Sequence, residues 1–434
     1  VPVCLEVFVS RKRFLKDIVI LSGGKAVSTG LRIGLVPIVS RIYLPDQYGI
    51  AALFVSLVGI LVPVAVLSFP QAIVLPKEEQ EAVGLALFAF LAVMVFSILL
   101  WMVIGVSTCF GMEILPQLGD WLWLLPLGVL LQGIIMGCEG WMTRRRRFVL
   151  SSLGDVLQSG TTSGMRVGGG YLLGAQLWPL MASVLAGQLL RVLIYSFHVV
   201  RIVRQAVSLR WIDLRRMVAE YRHFPLYNTP AALLRAFNTQ LPLLVITWLF
   251  TAREAGQYAM VNALLVTALT VIGESVRRSY LHRTTQGGLE GKLRKDFLTV
   301  TALMFLVAAG PVALVMVYGQ WLFAVVLGEK WAEAGVYAAA LMPWLLMQWT
   351  AVPASALVVT LRRQRFWLLF QHGILAMQLG GMALGYYLGG DVLSLLWGCA
   401  LARGIMLLGL ILYMAVVAGA PKLGTIARVQ EVET

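Results

Sequence analysis

The chain has 434 residues, of which 59% are hydrophobic and only 13% charged, with a mean hydropathy of +0.83. A water-soluble protein of this length needs far more charge to cover its surface, which excludes a soluble globular domain. The formal net charge of +14 does not indicate nucleic acid, because the basic residues lie in short connections between apolar runs.

Those runs are long. Val83–Leu100 and Phe297–Leu327 contain no charged residue, and each reaches the roughly 20 residues that a helix needs to cross hydrocarbon. No short alternating segments of the barrel type occur. The fold class is an all-α membrane protein with about 12 transmembrane helices. In chain order the spans are read at 17–40, 47–69, 82–108, 118–138, 148–173, 177–200, 224–250, 255–276, 297–318, 334–360, 366–389 and 393–418. The first run follows Arg11-Lys12-Arg13 and is too long and polar for a cleaved signal peptide.

Charge in the loops fixes the expected orientation. With both termini in the cytoplasm, 26 basic residues fall inside and three (Arg41, Arg253 and Lys330) fall outside, which follows the positive-inside rule. The expected location is the cytoplasmic, inner membrane. The inner loop at 201–223, with Trp211, Leu214, Met217 and Val218 among arginines, is read either as an amphipathic helix on the inner leaflet or as a solvated linker.

Sliding the chain on itself by 207 residues aligns Phe14–Ser68 with Tyr221–Ser275. Tyr43 then pairs with Phe250, Gly49 with Gly256, and Ser68 with Ser275. Two lobes of six spans, residues 1–207 and 208–434, are expected, related by a parallel internal repeat with a site between them near the midplane.

Catalytic motifs are missing. The chain has no G-x-x-x-x-G-K-[ST], no H-E-x-x-H and no G-x-S-x-G. His198, His223, His282 and His372 are scattered, and Cys4, Cys109, Cys138 and Cys399 give no disulfide framework. The chain is therefore read as not an enzyme, with no metal and no cofactor.

Polar residues inside the spans carry the functional signal, since an ionisable group there is costly unless it meets a partner or a cavity. Span 1 holds Lys25, Ser28, Thr29 and Arg32 on one helix face. Lys25 and Arg32 lie roughly 12 and 22 Å from the cytoplasmic end. Span 7 holds Asn228, Arg235 and Asn238 on one face, with Arg235 roughly 16 Å deep. Span 5 carries Asp155, Gln158, Ser159, Thr162 and Arg166; span 6 carries Gln188, Arg191, Tyr195 and His198; Arg403 sits in span 12. Any one of these could be structural, by snorkelling or by pairing of Arg191 or Arg403 with Asp155. As a set, five cations (Lys25, Arg32, Arg235, Arg191, Arg403) face two clear anions, Asp155 and Glu274, candidates for ion coupling or pairing. The excess points to an anionic guest.

The segments Phe14-Leu15-Lys16-Asp17, Pro37-Ile38-Val39-Ser40-Arg41-Ile42-Tyr43, Pro45-Asp46-Gln47-Tyr48-Gly49, Gln71-Ala72-Ile73-Val74-Leu75-Pro76 and Ala255-Gly256-Gln257-Tyr258-Ala259 resemble the Wzx-type O-antigen flippases. These form the polysaccharide-transporter branch of the multidrug/oligosaccharidyl-lipid/polysaccharide flippase superfamily. The resemblance implies two six-helix lobes around a cationic central cavity that opens alternately to either side. It also implies a substrate of oligosaccharide on undecaprenyl pyrophosphate, for O-antigen, capsule or other surface polysaccharide. The partners it implies are the lipid-linked oligosaccharide, membrane lipids, a polysaccharide polymerase and glycosyltransferases, and no nucleic acid. Two other readings stay open: a multidrug or cation exporter of the same superfamily, which requires an acid-lined cavity, and a membrane glycosyltransferase or polysaccharide polymerase, which requires a large outer loop.

Overall fold

The computed structural model describes residues 23–206, 217, 219–285, 293–361 and 363–419. The Phe14–Asp17 motif, residues 207–216 and 218 of the 201–223 loop, and both terminal basic segments lie outside the described residues. Every regular element among the described residues is helical.

In chain order the helices are α1 (residues 23–42), α2 (Pro45–Ala65), α3 (Phe69–Ala72), α4 (Glu79–Cys109), α5 (Leu125–Arg144), α6 (Phe148–Leu173), α7 (Leu177–Ala206), α8 (Thr229–Leu249), α9 (Ala252–Val261), α10 (Thr267–Thr285), α11 (Leu293–Leu327), α12 (Ala332–Thr350), α13 (Val352–Thr360), α14 (Gln364–Gly389) and α15 (Val392–Val417). Among the described residues, nine segments are long and apolar enough to cross a membrane. The three expected spans that miss this standard are those at 17–40, 148–173 and 255–276. Charge and small polar residues lower the hydropathy of the first two: α1 carries Lys25 and Arg32, and α6 carries Asp155 and Arg166. They are helical all the same.

The chain divides into two compact units, Val1–Gly256 and Gln257–Thr434. In the first, α6 packs on α7, α4 on α5, and α2 on both α5 and α8. Its core joins Tyr43, Leu53, Phe54 and Val129, all at most 2% exposed. A second cluster gathers Phe69, Ile73, Leu85 and Trp141 where α3 and the start of α4 meet the end of α5. There the Arg144 guanidinium donates to the carbonyls of Ile73, Pro76 and Glu78, and Arg145 pairs with Glu79. The connection after α3 is thereby tied to the end of α5. In the second unit α11 packs on α12, α14 on α15, and α10 on α13 around Phe297, Leu357 and Met414.

Proline begins several helices, at Pro45, Pro126, Pro230 and Pro353, where its missing N–H is no loss. Pro63, Pro242, Pro311 and Pro343 lie inside helices, a placement that packed neighbours make tolerable in membrane helices. Outward faces are apolar: on α11, Leu306, Val317 and Trp321 are 69%, 71% and 64% exposed. Such a surface fits hydrocarbon and not water.

Several close backbone approaches depend on glycine, among them one in each unit. In the second unit, a Cβ on Gly335 would lie 2.2 Å from the Gly319 carbonyl oxygen, so α11 and α12 touch main chain to main chain. In the first unit, a Cβ on Gly49 would lie 2.0 Å from the Ala252 oxygen, and one on Gly256 would lie 1.8 Å from the Pro45 oxygen. Pro45 and Ala252 are repeat mates at the 207-residue offset, as are Gly49 and Gly256. The contact is reciprocal in the way of a two-fold interface.

The Gly335→Leu variant is expected to lose about 1–3 kcal/mol or more by overpacking. A thermal melt of the purified protein in detergent should show an earlier transition for Gly335→Leu and little change for Gly409→Leu, whose Cβ would meet open space.

Candidate anion-binding site in the first unit

The site is built on α1, α5, α6 and α7. Gly24 sets α1 against α6, since a Cβ there would lie 2.3 Å from the Ser152 Cβ. This contact buries Ser28 and Thr29, at 2% and 7% exposure. Lys25 and Arg32, on the same face, remain exposed. Ser28 Oγ donates to the Lys25 carbonyl at 3.0 Å, and Arg32 Nε to the Ser28 carbonyl at 3.4 Å.

Arg191 on α7 is the centre of the arrangement. Its side chain is 6% exposed and bridges two carboxylates, Asp155 on α6 at 2.8 Å and Glu139 on α5 at 2.5 Å. Its remaining donors reach Gln158 at 2.9 Å and the Tyr195 hydroxyl at 3.2 Å. Gly154 leaves room for this network: a Cβ there would meet the Tyr195 hydroxyl at 2.6 Å. Farther along the same helices Gln188 donates to Gln132 at 3.2 Å, and Arg166 donates to Ser183 at 3.2 Å. The Arg166 carbonyl accepts from the Tyr43 hydroxyl at 2.8 Å. Polar groups thus follow one another along the interior of the unit.

The two α1 cations belong to this field. Lys25 lies within Coulombic range of Glu139, and Arg32 within range of Asp155, Arg166 and Arg191. Four cations, Lys25, Arg32, Arg166 and Arg191, therefore share two carboxylates, and both carboxylates are held by Arg191. Arg235 on α8, also in the first unit, is exposed. Among the described residues Lys25, Arg32 and Arg235 make no ion pair.

Several expectations are corrected by this geometry. Of the five cations read as buried, only Arg191 is fully so, at 5% exposure; Lys25, Arg32 and Arg235 are accessible, and Arg403 is intermediate. Arg191 is the partner of Asp155, the structural pairing weighed at the outset. Glu139 is a further carboxylate on this network, its side chain 40% exposed. The sequence reading closed the fourth span at 138 and so placed it outside, whereas α5 continues to Arg144. Glu274 is held by its own helix neighbours, Arg277 at 2.7 Å and Arg278 at 2.9 Å, with its side chain 40% exposed. In the second unit Arg403 lies over the Trp344 ring at 3.8 Å, beside Tyr258 and Cys399. Among the described residues it has no carboxylate partner.

Removing Arg191 leaves Glu139 and Asp155 without the cation that bridges them. Arg191→Ala is expected to lose about 3–5 kcal/mol, seen as a large fall in melting temperature. Adding Glu139→Gln and Asp155→Asn to Arg191→Met should restore most of the loss. A triple variant as unstable as Arg191→Ala would show that packing, and not charge, sets the effect.

No curated protein is significantly similar to the chain in sequence. Solved structures are similar over nearly the whole chain. An inward-facing multidrug resistance MATE family transporter of the MOP superfamily matches with a TM-score of 0.63 at 13% identity, covering 92% of this chain and 94% of its own. A MOP superfamily transporter from Pyrococcus furiosus, described as having a binding pocket of reverse polarity that suggests a different function, matches at 0.61 and 14%, covering 93% and 96%. A mutant MATE transporter from Vibrio cholerae matches at 0.57 and 14%, covering 94% and 96%. At these identities the likeness is one of fold: the chain has the helical architecture of MOP-superfamily transporters. The family described as polysaccharide biosynthesis protein matches residues 38–336, well over half of the chain, and the chain belongs to that family.

Proposed function

We propose that the protein is a flippase that carries oligosaccharide linked to undecaprenyl pyrophosphate across the cytoplasmic membrane by alternating access, for surface polysaccharide synthesis. The observation that carries this reading is the charge balance beside α1: Lys25 and Arg32 stand exposed on its polar face, and the nearby carboxylates, Glu139 and Asp155, are already held by Arg191. Membership of a polysaccharide biosynthesis family and the transporter fold are both in keeping with it.

The physical argument concerns the headgroup. A pyrophosphate cannot enter hydrocarbon bare, because the loss of hydration of its charge is prohibitive. Fixed cations in a wet path replace part of that hydration, and guanidinium offers a planar fork matched to phosphate oxygens. Lys25, Arg32 and Arg235 are the groups proposed to receive the phosphates, with Arg403 as a separate candidate inside the second unit. Arg191 and Asp155 then serve to hold α5, α6 and α7 in place. In this reading the repeat halves, 1–207 and 208–434, are the moving lobes, both termini are cytoplasmic, and a polymerase and glycosyltransferases act on the same lipid-linked sugar. A cation exporter would need accessible carboxylates free of counter-charge; Glu139 and Asp155 are instead engaged by one arginine, which favours the anionic substrate.

Replacing Arg32 or Arg235 by Ala should abolish export of surface polysaccharide without lowering the protein level in the membrane. Lys at either position should keep part of the activity, since charge survives and the fork does not. Normal surface polysaccharide in the double Ala variant would overturn the assignment.

A further inference from the structure

The contact between Gly49 and Gly256 differs in kind from the rest of the packing of α2. Along its length α2 is joined to α8 by side chains. Ser56 donates to Gln240 at 3.1 Å, and Thr229, which begins α8, donates to Ser68, just past the end of α2, at 3.1 Å. At the beginning of α2 the partner changes to the first turn of α9, and what meets there is main chain. The hypothetical Cβ of Gly49 falls 2.0 Å from the Ala252 oxygen and 2.8 Å from the Gly256 nitrogen; that of Gly256 falls 1.8 Å from the Pro45 oxygen and 3.1 Å from the Gly49 nitrogen. Glycine at both positions is what permits the approach, and any side chain at either acts as a wedge. Approaches of this kind are held by weak C–H···O and dispersion contacts, so they close tightly and part at little cost.

Position and symmetry give the contact its meaning. The loops entering it, at 43–45 and 250–252, are on the outer side in the orientation set by the basic residues. Each glycine touches the repeat mate of the residue that the other touches, so the two-fold axis of the repeat passes between them. A seal on that axis closes both halves with one contact.

We propose that Gly49 and Gly256 form an outer seal, a main-chain latch between repeat mates that is closed in this structure and must part for the outer side to open. The latch rests on the proposed orientation and on alternating access, but not on the identity of the cargo. Ser56, 3% exposed and roughly 10 Å deeper along α2, serves as the reporter.

The test uses the full-length protein in cells, with its native cysteines replaced by Ser and with Ser56→Cys labelled by a membrane-impermeant maleimide from outside. Gly49→Ala and Gly256→Ala should each raise the labelling rate roughly tenfold, the shift expected when strain is added to one side of a two-state equilibrium. Gly59→Ala on the same helix, whose Cβ meets only the Gln240 amide at 3.4 Å, should not. Unchanged labelling of glycine variants present at normal level overturns the latch. A second measurement covers the case in which those variants do not accumulate. Asp46→Cys and Arg253→Cys, both exposed repeat mates next to the contact, should be joined through two disulfides by a short bis-methanethiosulfonate, each thiolate displacing methanesulfinate. The joined protein should stop exporting polysaccharide and resume on reduction. Failure of the pair to join, or export by the joined form, also overturns the proposal. Increased labelling in cells whose polysaccharide is unaffected by Arg32→Ala would leave the latch standing and remove the cargo assignment.

Discussion

The buried guanidinium of Arg191 is the interaction on which the interior of the first unit depends. Three helices, α5, α6 and α7, are joined by one cation with two carboxylates, an amide and a phenol around it. In hydrocarbon each of those groups alone would be expensive, and together they satisfy one another. Glycine and serine on α6, at Ser152, Gly154 and Ser159, keep the helices close enough for the network to form.

The same pairing decides what is left over. Because Arg191 holds both Glu139 and Asp155, Lys25 and Arg32 on the neighbouring helix have only a shared and distant counter-charge. Their field is positive and their side chains are accessible. A polar stripe that is neutralised where it packs and cationic where it is exposed suits a guest that brings its own negative charge and leaves again. Tight internal ion pairs at Lys25 or Arg32 would instead have to be broken on each passage.

Much of the architecture was legible in the sequence, because hydrophobic length and loop charge are set by the membrane and not by tertiary detail. The described parts of the expected spans are helical, including the two too polar for hydropathy alone, at 17–40 and 148–173. The expected repeat rests on little more than Gly49 with Gly256 and a few aromatic and polar pairs. The structure gives those glycines a physical reason, a main-chain contact that admits no Cβ. The candidate site was legible in part. Helical spacing put Lys25, Ser28, Thr29 and Arg32 on one face, and Asp155 with Arg191 among possible partners. Glu139 was missed because a helix end read from hydropathy falls at the first charged residue, while α5 continues for several residues beyond it. Glu274, a candidate for coupling or pairing, pairs locally with Arg277 and Arg278 one turn ahead on the same helix, which the i,i+3 and i,i+4 spacing already allowed. Whether a cation is packed or accessible is a property of the neighbouring helices, and no single helix encodes it.

The most direct measurement is the binding of a short-chain prenyl pyrophosphate to the purified protein, read as a rise in melting temperature against the matching prenyl monophosphate and prenyl alcohol. The account predicts stabilisation in the order pyrophosphate, monophosphate, alcohol, weakened by salt and lost when Lys25, Arg32 and Arg235 are all neutralised. Equal stabilisation by the alcohol and the pyrophosphate, or an undiminished pyrophosphate response in the neutralised protein, would contradict it.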